Sequence, residues 1–364
     1  MMNAHRRRLL KLLPASGLAM LSGCGESDEE KIASVQRAIE QQQAEALKKP
    51  LQPVAEQLTP EEKAARDPSR KLVLHCAANL ADPFQKLQAS LMQAAMPQIG
   101  GCRFKVMDGA GDPALQVGQL NEAAAQHPLF VIVSPLETHL TTGIMESMRN
   151  AGSVVIGLDE RFGVGACTAV AFVDQKKLGR MAGELVVDAL RRKAKDENQP
   201  HVSGRVVHLQ GDTTSFSTKA RSEGFREALK AEPGAIIVHE APGGWSAEGG
   251  KARTEEALRL QHEFDVVFAH NDAMAAGASA ALTTAQMRER VLIVGIDGGL
   301  ELVRNGTIDA TLRQPMPMET AFDLIKRFVA DKHFNPPPRT ELEPEAVTPV
   351  NLDAVQARVM KAGG

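Results

Sequence analysis

The sequence predicts an α/β protein built from two doubly wound, parallel-sheet lobes. From Lys71 onward, short apolar runs alternate with segments of helical period, and about ten such strand–helix units follow one another. Continuous apolar runs are typical of strands buried on both faces, and their alternation with helices indicates parallel sheets covered by helices on each side. About ten units are too many for one modest sheet, and 364 residues suffice for two lobes at roughly 100–200 residues each.

The predicted elements continue this alternation to the end of the apolar pattern. Strands are expected at Lys71–Ala77, Arg103–Met107, Leu129–Ser134, Ser153–Leu158, Arg205–Leu209, Ile236–His239, Val266–His270 and Val291–Ile296. Helices are expected near Phe84–Met96, Leu115–Gln126, Leu136–Asn150, Lys176–Arg192, Thr218–Leu229, Ala247–Gln261 and Ala273–Leu282. In sheets of this kind, ligands bind beyond the carboxyl ends of the strands, so the residues that directly follow the strands are of most interest.

Residues 1–24 have the organisation of a secretory signal. A basic start at Arg6–Arg8 precedes an apolar stretch, Leu9–Leu21, and small residues lead into Cys24. The apolar stretch is too short to span a bilayer, which needs about 20 residues. Leu21-Ser22-Gly23-Cys24 resembles the bacterial lipoprotein box, in which the Cys receives lipid and becomes the first mature residue; the alternative is an ordinary signal with a chance Cys. The arginine run also resembles a twin-arginine export signal.

Residues 25–70 are expected to form a polar tether. The segment is rich in Glu, Gln, Lys and Ala, and it contains four prolines between Pro50 and Pro68. It lacks aromatic residues and β-branched runs, so it has little apolar surface to bury. Partial helix is expected around Glu30–Lys48.

Composition and cysteine spacing exclude several classes of protein. The formal net charge of −3 gives no electrostatic reason to expect a nucleic-acid partner. No C-x-x-C pair occurs among Cys24, Cys76, Cys102 and Cys167, and no His-Glu-x-x-His motif occurs among the ten His. Neither a metal nor a cofactor is therefore expected, and the three cysteines that follow Cys24 are expected to serve as small apolar packing groups.

The segments that follow the strands resemble, in order, the ribose- and galactose-binding proteins of bacterial sugar importers. The matching segments are Asp82-Pro83-Phe84, Asp108 through Asp112 with Gln116 and Leu120, Leu158-Asp159, Arg221 through Phe225, Phe268 through Ala278, Val294 through Gly298 and Ala310 through Gln314. The resemblance covers about Lys71 to Val350. Each segment is short, but seven in the right order with suitable spacing are specific.

This resemblance implies the type I periplasmic binding protein fold, with two lobes joined by a three-segment hinge. The crossings are expected near Val173-Asp174, Gln314-Pro315 and Thr348-Pro349. The N-terminal lobe would then comprise residues 71–173 plus 315–347, and the C-terminal lobe residues 174–314 plus 348–364. Sugar-responsive repressors share the fold, but they carry a helix-turn-helix where this chain has a signal and a tether.

The resemblance also implies a monosaccharide site. Its residues would be Asp82, Phe84, Asp159, Arg221, Trp245, Asn271, Asp297 and Gln314. Carboxylates accept hydroxyl protons in charge-assisted bonds, the guanidinium offers a rigid fork of donors, and side-chain amides both donate and accept. The two aromatic rings would cover the apolar faces of a sugar ring.

Structural roles are alternatives for seven of these eight residues. Phe84 and Trp245 could belong to a core, and Gln314 could be only a hinge residue. Asp159, Asp297 and Asn271 could each cap a helix, although Asp272 is the better placed cap for the helix after Asn271. Arg221 could form a surface pair with Glu223 or Glu227.

Two departures from the ribose type leave the identity of the sugar open. Gln85 stands where a second Phe is expected, and Glu160 stands where an Arg is expected, with Arg161 one step further on. Trp245 and Asp82 resemble the galactose type, whereas Gln314 resembles the ribose type. The calcium loop of the galactose type is not visible.

The expected function is that of a substrate-binding lipoprotein which captures a monosaccharide between two lobes and delivers it to an ABC permease. It would act as a monomer on the extracytoplasmic face of the cell envelope, held by its lipid anchor. The carboxylates of Asp159 and Asp297 could also be interpreted as the catalytic pair of a glycoside hydrolase. Equal binding of substrate and transition state gives no catalysis, however, so no enzyme activity is expected. A sensor that presents its ligand to a membrane receptor or kinase is the alternative.

Overall fold

The computed structural model describes residues 72–163, 165–261, 263–331 and 333–362. The expected signal sequence, the lipidated Cys24 and the polar tether at 25–70 all lie outside these residues. Among the helices that the structure describes, none combines the length and apolar character needed to cross a bilayer.

Strands and helices alternate along the described chain. The elements are β1 Leu72–Ala77, α1 Pro83–Ala95, β2 Arg103–Asp108, α2 Pro113–Ala125, β3 Phe130–Val133, α3 Thr138–Asn150, β4 Val154–Gly157, β5 Ala169–Phe172, α4 Gln175–Asp196, β6 Gly204–Gln210, α5 Phe216–Leu229, β7 Ala235–Pro242, α6 Ala247–Gln261, β8 Val266–Ala269, α7 Asp272–Thr284, β9 Leu292–Ile296, α8 Leu300–Arg304, β10 Ala310–Arg313, α9 Pro317–Ala330, β11 Arg339–Glu341, β12 Glu345–Val347 and α10 Leu352–Ala362.

The first lobe comprises the described residues through Asp174 together with Pro315–Glu343. Its sheet has the strand order β11-β5-β4-β3-β1-β2, and every neighbouring pair is parallel. The central strands β1, β3 and β5 are buried along their whole length, as expected for strands covered on both faces. Edge strand β2 alternates exposed and covered positions instead.

The second lobe comprises Gln175–Gln314 and Pro344–Lys361. Its sheet has the order β12-β10-β9-β8-β6-β7, in which only β12 runs antiparallel to its neighbour. Each lobe has its own apolar core, the second one around Leu209, Val267, Met274 and Ile293. Two parallel-sheet α/β lobes therefore form the protein, as the alternation of apolar runs predicts.

The structure contains elements that the sequence pattern did not predict. They are the helices α8, α9 and α10 and the strands β5, β10, β11 and β12, which are three or four residues long. β12 pairs with β10, Thr311 opposite Val347, so it belongs to the second lobe. The third crossing therefore lies between Glu343 and Pro344, five residues before the expected one.

Candidate functional site

Five of the eight candidate residues lie in the second lobe, and four of them lie within three residues of the end of a strand. Gln314 follows β10, Asp297 follows β9, Asn271 follows β8 by two residues and Trp245 lies in the turn after β7. Because β6 to β10 are parallel, the residues that follow them meet at one edge of the sheet. Arg221 reaches this edge from α5.

Arg221 is the centre of this group. Its side chain is buried, with only 5% of the residue exposed. Nε donates to Gln175 Oε1 at 2.9 Å, Nη1 donates to the backbone oxygen of His270, and Nη2 lies 3.5 Å from Gln314 Oε1. The guanidinium carbon lies 5.5 Å from the centre of the Trp245 ring, within cation–π range. The planar fork is thus held in one orientation from several sides.

The alternative role for Arg221 as half of a surface ion pair is wrong. Glu223 and Glu227 instead pair with Lys176, whose Nζ lies 2.7 and 3.2 Å from their Oε1 atoms. The Arg221 side chain itself packs inside the lobe and is not on its surface.

Gln314 links Arg221 to Asp297. Its Nε2 donates to Asp297 Oδ1 at 2.7 Å, while its Oε1 faces the guanidinium. Asp297 has φ of 128°, a conformation that side-chain-bearing residues rarely adopt and that costs on the order of 1–3 kcal/mol. Strain of this kind accumulates where a side chain must be aimed, which fits a carboxylate presented for binding.

Asp272 supports the loop that carries Asp297. Its Oδ2 accepts hydrogen bonds from Gly299 N at 2.6 Å and from Thr311 Oγ1 at 2.9 Å, and Thr311 Oγ1 in turn accepts from Gly298 N. Burial raises the pKa of the Asp272 carboxyl well above its ordinary value, and the nearby charge of Asp297 raises this pKa further. Asp272 therefore acts as a buried brace of the loop.

Asn271 caps α7 and also holds Trp245. Its Oδ1 accepts from Met274 N at 2.9 Å, so Asn271, and not Asp272, is the cap. Its Nδ2 donates to the backbone oxygen of Trp245 at 2.9 Å. This single amide thus fixes a helix start and the loop of the only Trp in the chain.

Trp245 is held in a conformation that bulky residues rarely adopt. Its φ is 63°, in the left-handed region. The indole covers Gly211, where a Cβ would lie 2.1 Å from Trp245 Cζ2, so only glycine fits beneath the ring. Trp245 is half-buried against the second-lobe core, which leaves part of the indole accessible.

The first lobe carries the other three candidates, and Asp82 and Phe84 lie together at the start of α1. Asp82 caps this helix through a hydrogen bond from Phe84 N to Oδ1 at 2.8 Å. Asp108, at the end of β2, accepts from Leu80 N at 2.9 Å and so holds the loop before the cap. Phe84 is half-buried at the first turn of α1.

Asp159 forms a two-pronged ion pair with Arg161. Arg161 Nε lies 2.9 Å from Oδ1, Arg161 Nη2 lies 2.8 Å from Oδ2, and Arg161 N donates to Oδ1 at 2.8 Å. A carboxylate has about four acceptor positions, of which these bonds use three. Asp159 therefore has capacity for about one sugar hydroxyl.

The imidazoles of His208 and His270 were not among the candidate residues predicted from the sequence. Both rings are fully buried beneath the second-lobe group and are hydrogen-bonded to each other. The signal for His208 is in the sequence, since it is a titratable residue inside the apolar run Val206–Leu209.

Neither a metal site nor a disulfide is evident in the described part of the chain. No group of three His, Cys, Asp or Glu side chains there could hold a metal ion. Cys76 and Cys167 are free thiols. Burial raises the pKa of both Cys76 and Cys167 to about 12, so these two thiols stay protonated at neutral pH.

Comparison with protein families gives a match over most of the folded chain. Residues 76–331 match the family model described as a periplasmic binding protein domain. This range includes the last two residues of β1, all of β2 to β10 and all eight candidate residues.

Two import binding proteins and one solved structure are each similar to this chain over more than half of its length. The ribose import binding protein of Haemophilus influenzae is 26% identical over 217 residues, which are 59% of this chain and 70% of that protein. The D-apiose import binding protein of Actinobacillus succinogenes is 25% identical over 285 residues, 76% of this chain and 86% of that protein. An ABC transporter solute binding protein from Bacillus halodurans, solved with bound myo-inositol, superposes with a TM-score of 0.68 at 23% identity, covering 80% of this chain and 99% of that one.

Proposed function

Because the chain belongs to the periplasmic binding protein family, we propose that it is a substrate-binding protein which captures a monosaccharide in the periplasm and delivers it to an ABC importer. The curated relatives are import binding proteins for ribose and apiose, and they are binding proteins rather than enzymes. The observation that carries the proposal is the connected group Arg221–Gln314–Asp297 beside Trp245 at one sheet edge.

This group has the chemistry that a sugar requires. Asp297 accepts hydroxyl protons, the amide of Gln314 both donates and accepts, and the guanidinium of Arg221 donates. The indole of Trp245 offers a flat face for the C–H groups of a sugar ring. Each polar group is already held by a neighbour, so little side-chain entropy remains to be lost on binding. Asp82, Phe84 and Asp159 are further proposed contacts, contributed by the first lobe.

A screen over monosaccharides tests the proposal. Ribose, apiose, allose, galactose, arabinose and myo-inositol are added separately to the purified protein, and the thermal unfolding temperature is measured. At least one sugar should raise it, because a ligand that binds only the folded state stabilises that state by mass action. Absence of any shift at millimolar sugar would contradict the proposed ligand class.

Trp245 should report the same binding event. It is the only Trp in the chain, so the protein's indole emission comes from this one site. A sugar that covers the half-buried indole removes water from it, and the emission maximum should move to shorter wavelength. A sugar that raises the unfolding temperature but leaves the emission of Trp245 unchanged would remove this residue from the site.

Lipid anchoring through Cys24 is part of the proposed function. The support is the basic start, the short apolar stretch and the small residues that precede Cys24. Cys24→Ser should move the protein from the membrane fraction to the soluble envelope fraction, because the acyl chains can no longer be attached. Sugar affinity should be unchanged, and the matched variant Ser22→Ala should remain in the membrane fraction. Membrane retention of Cys24→Ser would rule the anchor out.

A further inference from the structure

A buried chain of three titratable side chains runs from the surface of the second lobe to the candidate site. Glu240 Oε2 on β7 lies 2.7 Å from His208 Nδ1 on β6, and His208 Nε2 lies 2.8 Å from His270 Nε2 at the end of β8. His270 Nδ1 then faces the backbone N–H of Gly211 at 3.3 Å. Three neighbouring strands therefore contribute one continuous hydrogen-bonded line.

Only one order of protons satisfies every bond in this line. Gly211 N–H can only donate, so His270 Nδ1 must be unprotonated and the proton of His270 resides on Nε2. His270 Nε2–H donates to His208 Nε2, which must then be an acceptor. The proton of His208 is consequently on Nδ1 and is donated to the carboxylate of Glu240. The two imidazoles are therefore opposite tautomers.

The surroundings keep both rings neutral and immobile. The His208 ring stacks on Phe268 at 5.2 Å and packs against Phe225 at 5.1 Å between ring centres. The charged groups that face the line are Glu240 at one end and Arg221 at the other. Arg226 Nη2 donates to both carboxylate oxygens of Glu240, at 2.6 Å each. Burial lowers the pKa of both His208 and His270, while the hydrogen bond to Glu240 opposes the shift at His208.

The inner end of the line contacts both principal side chains of the candidate site. The backbone oxygen of His270 accepts from Arg221 Nη1. Gly211, whose N–H is held by the His270 ring, lies directly beneath the indole of Trp245. The orientation of the His270 ring therefore affects the position of the Arg221 guanidinium through the backbone of His270. It affects the position of the Trp245 indole through Gly211.

We propose that Glu240, His208 and His270 form a relay of fixed proton order that positions Arg221 and Trp245 for ligand binding. The three relay members are positioning residues, since they act on the ligand only through Arg221 and Trp245. The relay extends the proposed sugar-binding function, but its effect on the geometry of Trp245 is measurable without any sugar.

Imidazole NMR of the protein labelled with ¹⁵N-histidine tests the proton order directly. Two-bond proton–nitrogen correlations should show His208 as the Nδ1–H tautomer and His270 as the Nε2–H tautomer at pH 7. Finding His270 protonated at Nδ1, or finding either ring exchanging between tautomers in the native protein, would overturn the proposal.

Substitutions at Glu240 test the positioning role, because its side chain is 31% exposed and tolerates change. Glu240→Leu removes the acceptor for His208, whereas Glu240→Gln retains an amide oxygen in its place. Glu240→Leu should change the acrylamide quenching constant of Trp245 by about twofold or more, and Glu240→Gln should restore it. His208→Leu should give the same change as Glu240→Leu.

His75→Leu is the matched control for loss of a buried imidazole. It lies in the first lobe, and its ring nitrogens have no hydrogen-bond partner among the described residues. This variant should leave the quenching of Trp245 unchanged. If Glu240→Leu unfolds cooperatively yet quenches like the wild type, the three residues are structural only and the positioning role is wrong.

Discussion

Replacing Arg221 with alanine should weaken monosaccharide binding more than 100-fold. Hydrogen bonds to a charged group are worth about 1.5–3 kcal/mol each, so loss of a bidentate contact corresponds to about 3 kcal/mol. The loss has a second source in this structure. Without the guanidinium, Gln314 and the backbone oxygen of His270 lose the donor that Arg221 supplies to them. Isothermal calorimetry with a sugar that stabilises the wild type measures the change.

Arg221→Lys should not restore the affinity. The fork reaches Gln175, His270 and Gln314 from different nitrogens, and one ammonium on a flexible stem cannot occupy all three positions. Glu223→Gln is the control, because Glu223 is an exposed residue on the same helix and pairs with Lys176. It should bind sugar as the wild type does.

Unfolding in urea must accompany these titrations, since Arg221 is buried and its removal also destabilises the lobe. A variant that stays folded at the titration temperature but loses tenfold or less in affinity, with both Ala and Lys, would end the role of Arg221 as the anchor. Asp297 and Asn271 would then be the better candidates.

The second large effect concerns stability in acid. His75 lies in the middle of β1 with no exposed surface, and burial lowers its pKa from 6.5 to about 4. Between these two pH values the His75 ring binds a proton in the unfolded chain but stays neutral in the folded protein. The stability associated with neutral His75 is therefore present above pH 6.5 and is lost as the pH falls towards 4. The full loss is about 3 kcal/mol.

His75→Leu should abolish this part of the acid sensitivity. The variant should lose up to about 3 kcal/mol less in free energy of unfolding than the wild type between pH 7 and pH 4. It should be at least as stable at pH 7, because it removes a buried polar ring that has no hydrogen-bond partner among the described residues. Urea denaturation at pH 7, 5.5 and 4 measures both effects.

His139→Leu provides the comparison for His75→Leu, since His139 belongs to the same lobe but its side chain is 72% exposed. This variant should follow the wild type at every pH. An unaltered pH dependence in His75→Leu would mean that His75 is protonated, or hydrated, within the native protein.

The fold class and most candidate positions could be predicted because their causes are local. Apolar runs of strand length separated by amphipathic helices specify parallel sheets without reference to distant residues. Asn271 and Asp297 directly follow such runs, so the sheet edge on which they lie is determined as soon as the strands are parallel, whereas Gln314 was identified from the family resemblance. The strands β5, β10, β11 and β12 were missed because a run of three or four residues does not by itself distinguish a strand from a loop. The equally short β3, β4 and β8 lie within the predicted runs Leu129–Ser134, Ser153–Leu158 and Val266–His270.

The features that could not be predicted from the sequence depend on contacts between residues that are far apart in the chain. The sequence by itself determined the two α/β lobes, the family resemblance and which side chains follow the strands. Only the tertiary structure decided that Arg221 is buried, because Gln314, 93 residues away, packs beside it, and that His208 meets His270, 62 residues away. It likewise decided that Arg161 fills most of the hydrogen-bond acceptor positions of the Asp159 carboxylate. It also decided that β12 joins the second sheet. Side-chain partners and strand neighbours are chosen by packing across the folded chain, and no periodicity in the sequence encodes that choice.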